Sequence, residues 1–174
     1  SHAVIALQNI VSRETDPVQQ VAVSVTSFQT STTAHNVIAE QVKLRGTVRT
    51  FDAEVRDNTE RRMTEIVEGV AAAFGATAVV NYERGYPALV NHEAETGYAE
   101  EAARKVAGAC AEAPVYLWGE DFSYLLNKRP GAYIHIGVGD TAPLHHPEYD
   151  FVDEVIPMGS SWFAEMVEPR LPVA

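Results

Sequence analysis

Two adjacent histidines stand in Gly139-Asp140-Thr141-Ala142-Pro143-Leu144-His145-His146-Pro147, and Asp150-Phe151-Val152-Asp153-Glu154 follows closely. Gly and Pro prevent this stretch from continuing a strand or helix, so the pair belongs to a loop, and the acidic residues behind it can open a helix. Neutral imidazole is the commonest protein ligand for zinc and related metals, yet a metal site needs three or four converging groups. This loop supplies one or two. A solvated surface loop is therefore the competing reading. Successive side chains in extended chain point opposite ways, so at most one of His145 and His146 is expected to ligate while the other faces solvent or supports it.

Other side chains could contribute to such a site. Glu120 and Asp121 follow Gly119 at a sharp turn before a short helix, where carboxylates also serve as ordinary caps. Arg49 can grip a carboxylate in bidentate fashion, although an Arg on the polar face of a strand is commonly just solvated. Asn36 ends a polar loop and equally suits a turn. His2, His35, His92 and His135 stand singly and read as structural or solvated. Other chemistries find less support: Gly137-Val138-Gly139 is too short for a dinucleotide fingerprint, no phosphate-binding loop or Gly-x-Ser-x-Gly elbow occurs, Cys110 has no paired base, and no His-Glu-x-x-His is present.

The elements that must position these residues can be read from periodicity. Residues 3–12 are apolar at helical spacing and begin without a cap, so the chain is expected to open inside a helix, as a fragment would; Asp16-Pro17 ends that helix. Val21–Phe28 is a β-branched strand. A second strand runs to Phe51, with Val42, Leu44, Gly46, Val48 and Thr50 on one face and Lys43, Arg45, Thr47 and Arg49 on the other. Asp52 caps a helix whose apolar stripe is Met63, Ile66, Val67, Val70, Ala71 and Phe74, and Gly75 stops it. Thr77–Tyr82 reads as a further strand. This order predicts a ferredoxin-like unit lacking its first strand. After a boundary near Gly85-Tyr86-Pro87, a helix over Glu93–Ala107 closes at Gly108, Ala132–Val138 reads as a strand, and Asp153–Val167 forms the last helix with Pro157 in its first turn. Two strands cannot sustain a sheet alone, so residues 88–174 are expected to need strands from outside this sequence.

Composition narrows the partners. The 174 residues carry a net charge of −11 with only 13 Lys and Arg and no basic run, which argues against nucleic acid and anionic membranes. A single cysteine excludes an internal disulfide and fits a reducing compartment, and no apolar run approaches a membrane span, so a cytoplasmic location is expected.

The ordered motifs Asn36-Val-Ile-Ala-Glu40, Leu44-Arg-Gly-Thr-Val-Arg-Thr-Phe51, Arg84-Gly-Tyr-Pro-Ala-Leu-Val-Asn91, Gly119-Glu-Asp-Phe122 and Pro143-Leu-His-His-Pro147 resemble those of M20-type metal-dependent amidohydrolases, in the branch of hippurate hydrolase and N-acyl-amino-acid amidohydrolases. The resemblance covers most of this chain but only about the C-terminal half of such an enzyme. It implies an α/β protein in which residues 1–87 are most of an α+β, ferredoxin-like lid and dimerisation domain, and residues 88–174 are the closing segment of a zinc-peptidase-like catalytic domain. It also implies two divalent ions, zinc or manganese, in the intact enzyme, with His145 as one metal ligand. Asn36 and Arg49 would contact the substrate, Arg49 through the free carboxylate of an N-acyl amino acid. Glu120 and Asp121 lie near the site without an assigned role. The Cys-x-His pair, the Glu-Glu pair that holds the general base, the second metal-binding His and the lid's Gly-Gly-His-Ala strand are absent from this sequence, so no catalytic residue is expected within it. The chain alone is expected to be inactive and to hold metal weakly. Trp118 stands where a small residue is usual, and Ala39 where Pro is usual. The implied activity is cleavage of N-acyl amino acids or related conjugates by metal-activated water, in a homodimer joined through the lid; a dipeptidase of the same family, or a non-catalytic interaction module, is the alternative.

Overall fold

The computed structural model describes residues 1–171 and divides them into two compact units, Ser1–Ala88 with Leu117–Glu120, and Leu89–Tyr116 with the residues from Asp121 on. The first unit contains α1 (His2–Asn9), which runs into a π turn at Ile10–Glu14, then strands β1 (Val21–Thr30) and β2 (Val42–Thr50) and helix α2 (Ala53–Ala73). The second holds α3 (Glu93–Ala107), the single turn α4 (Phe122–Leu126), and α5 (Ile156–Val167) preceded by a 3-10 turn at Asp153–Val155. Among the described residues no helix is long and apolar enough to cross a membrane.

β1 and β2 form an antiparallel hairpin in which Val23 faces Val48. Leu7, Ile10 and Val23 are its buried centre, covered by Val21, Val25 and Val48 from the hairpin and Met63, Ile66 and Val67 from α2. Alternation therefore turns Arg49, the neighbour of Val48, away from that core. The pairing slips between Val25↔Gly46 and Ser27↔Arg45, so Thr26 is an extra residue in a bulge. Opposite it, a Cβ built on Gly46 would lie 2.3 Å from the Ser24 carbonyl oxygen. Only glycine admits that approach. Asp52 caps α2 as expected, its Oδ1 accepting the amides of Glu54 at 2.7 Å and Val55 at 3.0 Å. The stripe read for α2 is less complete. Phe74 is 67 % exposed, and the positions most deeply covered are Val55 and Thr59, whose hydroxyl donates to the Val55 carbonyl at 2.7 Å.

Two ion-pair groups tie this unit together. Arg62 on α2 grips Glu14 of the π turn with two contacts, Nε at 2.6 Å and Nη2 at 2.8 Å. The Arg62 hydrogen bond holds the Glu14 carboxyl below its ordinary range. Arg84 reaches back to Asp57 at 2.8 Å and Glu60 at 2.7 Å, fastening the chain that leaves α2 onto the helix it came from.

The second unit is built on α3 against α5. Trp162 is buried over Ala99 and Ala102, whose small side chains let the indole approach the α3 backbone, and its Nε1 donates to the Ala99 carbonyl at 3.0 Å. α3 ends as read, at Gly108 with φ 75. Arg170 closes α5 by donating to the Met166 carbonyl at 3.0 Å, with its guanidinium 4.2 Å from the centre of the Tyr98 ring.

Two expected strands are not strands. Thr77–Tyr82 and Ala132–Val138 form no ladder, and the sheet among the described residues has two strands only. Both keep the side-chain alternation that suggested a strand. Val79 is 95 % exposed while Ala78, Val80 and Tyr82 are partly covered. Ala132 and Ile134 pack on the Trp162 core, whereas Tyr133 and His135 turn the other way, His135 lying edge-on between Tyr133 at 5.2 Å and Tyr116 at 6.3 Å. Alternation is a property of one segment, but a strand exists only where a neighbour satisfies its backbone groups. For Ala132–Val138 a side chain substitutes at one point. The Asn91 amide donates to the Tyr133 carbonyl at 2.9 Å and accepts the Tyr133 N–H at 2.8 Å. His92 likewise meets Gly131, the His92 amide donating to the Gly131 carbonyl at 3.1 Å and the Gly131 amide donating to the His92 ring at 3.2 Å.

Candidate metal and substrate site

The loop after Val138 is folded by two consecutive turns that share His146. The first is closed by the His146 amide donating to the Pro143 carbonyl at 3.0 Å, and the second by the Tyr149 amide donating to the His146 carbonyl at 3.0 Å. His145 is the third residue of the first turn and has φ 70, the one positive φ outside glycine among the described residues. A turn of that form places its third residue in the left-handed region where glycine is usual. Occupying it with histidine costs on the order of 1–2 kcal/mol. Non-glycine residues so placed cluster at functional sites, and this one presents an exposed imidazole. The His146 ring is differently employed, its Nδ1 accepting the Glu148 amide at 3.1 Å. Beside the turn lies an apolar groove of about 420 Å³ whose lining includes Leu144, Ile136, Val138, Phe151 and Ile156.

Glu120 and Asp121 straddle the division between the two units. Asp121 occupies the N-cap position of α4 but makes no side-chain cap bond, so the helix-capping use of this carboxylate is not realised. Phe122 and Tyr133 stack with centroids 5.6 Å apart, bringing the end of the Gly119-Glu-Asp-Phe122 motif against the Asn91-held segment. Trp118 is 64 % exposed.

Asn36 and Arg49 both lie in the first unit. Asn36 is exposed in the loop joining β1 to β2, in a turn closed by the Val37 amide on the Ala34 carbonyl at 3.4 Å. Arg49 is exposed, donates Nη1 to the Val48 carbonyl at 3.1 Å, and has no carboxylate partner among the described residues. Its guanidinium is thus available to an anion. The hairpin does not bring the two residues to one end. The Asn36 loop departs where Thr30 pairs with Val42, while Arg49 pairs with Ala22, roughly 23 Å further along the strand at about 3.3 Å per residue.

Among the described residues no three His, Cys, Asp or Glu side chains converge as a metal site would require. The chemistry of the His145 ring nevertheless fits a contribution to one: an exposed neutral-type donor on a constrained backbone, without a competing side-chain bond among the described residues. Periodicity and spacing give no sign of its left-handed backbone, because nothing in a histidine's residue type calls for that conformation as a glycine would. A turn signal was present in Pro143 and Pro147, and it was the only signal available. Of the remaining histidines, His92 bonds Gly131 at the start of α3, and His2 lies 4.9 Å from the Phe74 ring.

A family model described as peptidase family M20/M25/M40 matches residues 2–168. The chain belongs to this family. Within the M20/M25/M40 family it is 37 % identical over 171 residues to an N-acetyl-L-cysteine deacetylase of Bacillus subtilis, covering 98 % of this chain and 41 % of the relative. It is 39 % identical over 154 residues to an N-acetyldiaminopimelate deacetylase of Enterococcus faecalis, covering 87 % and 40 %. The crystal structure of the Bacillus subtilis YXEP protein, described as a dinuclear metal binding peptidase from M20 family, superposes with a TM-score of 0.74 at 32 % identity, over 95 % of this chain and 43 % of that one. The M20 chain described here thus spans about two-fifths of the length of the relatives it matches. Its mixed helix and strand content is that of the corresponding part of an M20 peptidase.

Proposed function

We propose that residues 1–87 are the lid and residues 88–174 the closing catalytic segment of a metal-dependent amidohydrolase that cleaves N-acyl amino acids. What supports this reading is the strained turn at His145, which holds an exposed imidazole on the histidine that the resemblance to M20 amidohydrolases makes a metal ligand. When bound, two divalent ions of the zinc or manganese type would supply a water nucleophile and charge stabilisation at the acyl carbonyl. Within this chain His145 would hold metal, and Arg49, through the substrate carboxylate, or Asn36 would contact the substrate, the two lying too far apart along the hairpin to reach one small acyl amino acid together. Deacetylation by the relatives supports an acyl amino acid over a dipeptide as substrate. The outer edges of the β1–β2 hairpin are unpaired among the described residues, which supports a homodimer joined there.

The test uses the protein expressed from its full coding sequence. Purified with zinc or manganese, it should release acetate from a panel of N-acetyl amino acids and lose that activity on chelation and on His145→Ala substitution. Arg49→Ala should raise KM far more for free-acid substrates than for their amides. Robust hydrolysis by the 174-residue chain alone, or full activity of the His145→Ala enzyme, would sink the proposal.

A further inference from the structure

The two histidines of the loop share a residue type and differ in what surrounds them. His146 takes part in each of the three hydrogen bonds that shape the loop: its amide donates to Pro143, its carbonyl accepts from Tyr149, and its Nδ1 accepts from Glu148. His145 makes none of them, yet carries the strained backbone. A left-handed histidine persists only where its surroundings over-determine it. Here the hydrogen bonds that restrain it are made by the next residue, helped by Pro147, whose ring fixes φ at the second position of the second turn.

We propose that His146 is a positioning residue: by accepting the Glu148 amide, its imidazole clamps the double turn and so holds His145 in the left-handed backbone that presents its ring. An Nδ1 that accepts a bond leaves the proton of the neutral ring on Nε2. His146 then has no free lone pair for a cation, and the division of labour between the neighbours follows from hydrogen bonding. The arrangement copies what Asn and Asp do in turns, where a side-chain oxygen captures the amide two residues on. Asparagine at position 146 should therefore preserve the clamp and alanine should not. The importance of the clamp for metal rests on the reading of His145 as a ligand; the clamp itself does not.

The test is nuclear magnetic resonance on the isotopically labelled 174-residue chain and its His146→Ala and His146→Asn variants. Long-range proton–nitrogen correlations should show the Nε2–H form of His146. In His146→Ala the Glu148 amide should exchange about fivefold faster, the worth of one exposed hydrogen bond. The one-bond Cα–Hα coupling of His145, which reports the sign of φ, should move towards a negative-φ value, and His146→Asn should restore both. Manganese(II) chloride should then broaden the His145 ring selectively in the parent chain and in His146→Asn, and less in His146→Ala. The proposal is overturned if His146→Ala leaves the exchange and the coupling unchanged, or if His146→Asn behaves as His146→Ala does. If both report the clamp but the complete enzyme keeps full activity on His145→Ala substitution, the ligand reading fails while the clamp stands.

Discussion

Replacing Gly46 by alanine tests the hairpin register at its tightest point. The added Cβ would sit 2.3 Å from the Ser24 carbonyl oxygen and 3.2 Å from the Val25 Cα, where ordinary contact begins near 3.4 Å. About an ångström of relief is needed, and the obstacle is backbone held in the ladder on both sides of the bulge. Overpacking of this kind costs typically 1–3 kcal/mol. For a unit of this size, a loss of about 2 kcal/mol lowers Tm by roughly 10 °C. The assay is thermal unfolding followed by circular dichroism, with Gly69→Ala as the companion. Gly69 lies within α2 and its added Cβ meets nothing within 4 Å. That change should stabilise by about 0.5–1 kcal/mol, since alanine is the better helix former. The same chemical substitution should thus act with opposite sign at two glycines. A Gly46→Ala chain that melts with the parent would refute the register and the bulge together.

Three further outcomes are expected. Asp52→Ala should cost about 1 kcal/mol in urea unfolding by leaving two α2 amides without their acceptor, and Asp52→Asn should recover most of it. Trp162→Phe should keep much of the packing on Ala99 and Ala102 but lose the bond to the Ala99 carbonyl, destabilising by about 1 kcal/mol, whereas Trp162→Ala should cost about 3–5 kcal/mol. Because Arg62 lowers the Glu14 pKa in the folded state, the pair stabilises above the unfolded value of 4.5 and its contribution fades as pH falls through the lower folded value. The urea midpoint of Glu14→Gln should accordingly lie below that of the parent at about pH 6 and approach it as the pH falls below 4.5 through the lowered folded value, and added salt should narrow the gap at the higher pH.

Features decided by neighbouring residues were legible in the sequence. Asp52 before α2 and Gly108 after α3 are local chemistry, and both ends fall where they were read. Features decided by distant residues were not. The alternation of Ala78, Val80 and Tyr82, or of Ala132 and Ile134 against Tyr133 and His135, is real in space, but no periodicity tells whether another backbone will lie alongside. The burial of Trp162 depends on two alanines sixty or more residues earlier, which nothing near the tryptophan announces. At the site, residue types disclosed that His145 could ligate. The left-handed backbone, the engagement of the His146 ring and the distance along the hairpin between the Asn36 loop and Arg49 come only from the folded chain.

The reciprocal amide bond from Asn91 to Tyr133 has a thermodynamic side. Ordering a residue's backbone costs about 1–2 kcal/mol. One side chain has already met part of that cost at the head of the Ala132–Val138 segment, fixing which of its residues face Trp162 and which face the aromatic side. A second backbone arriving beside it would find the starting register chosen, so pairing there would propagate from a formed nucleus.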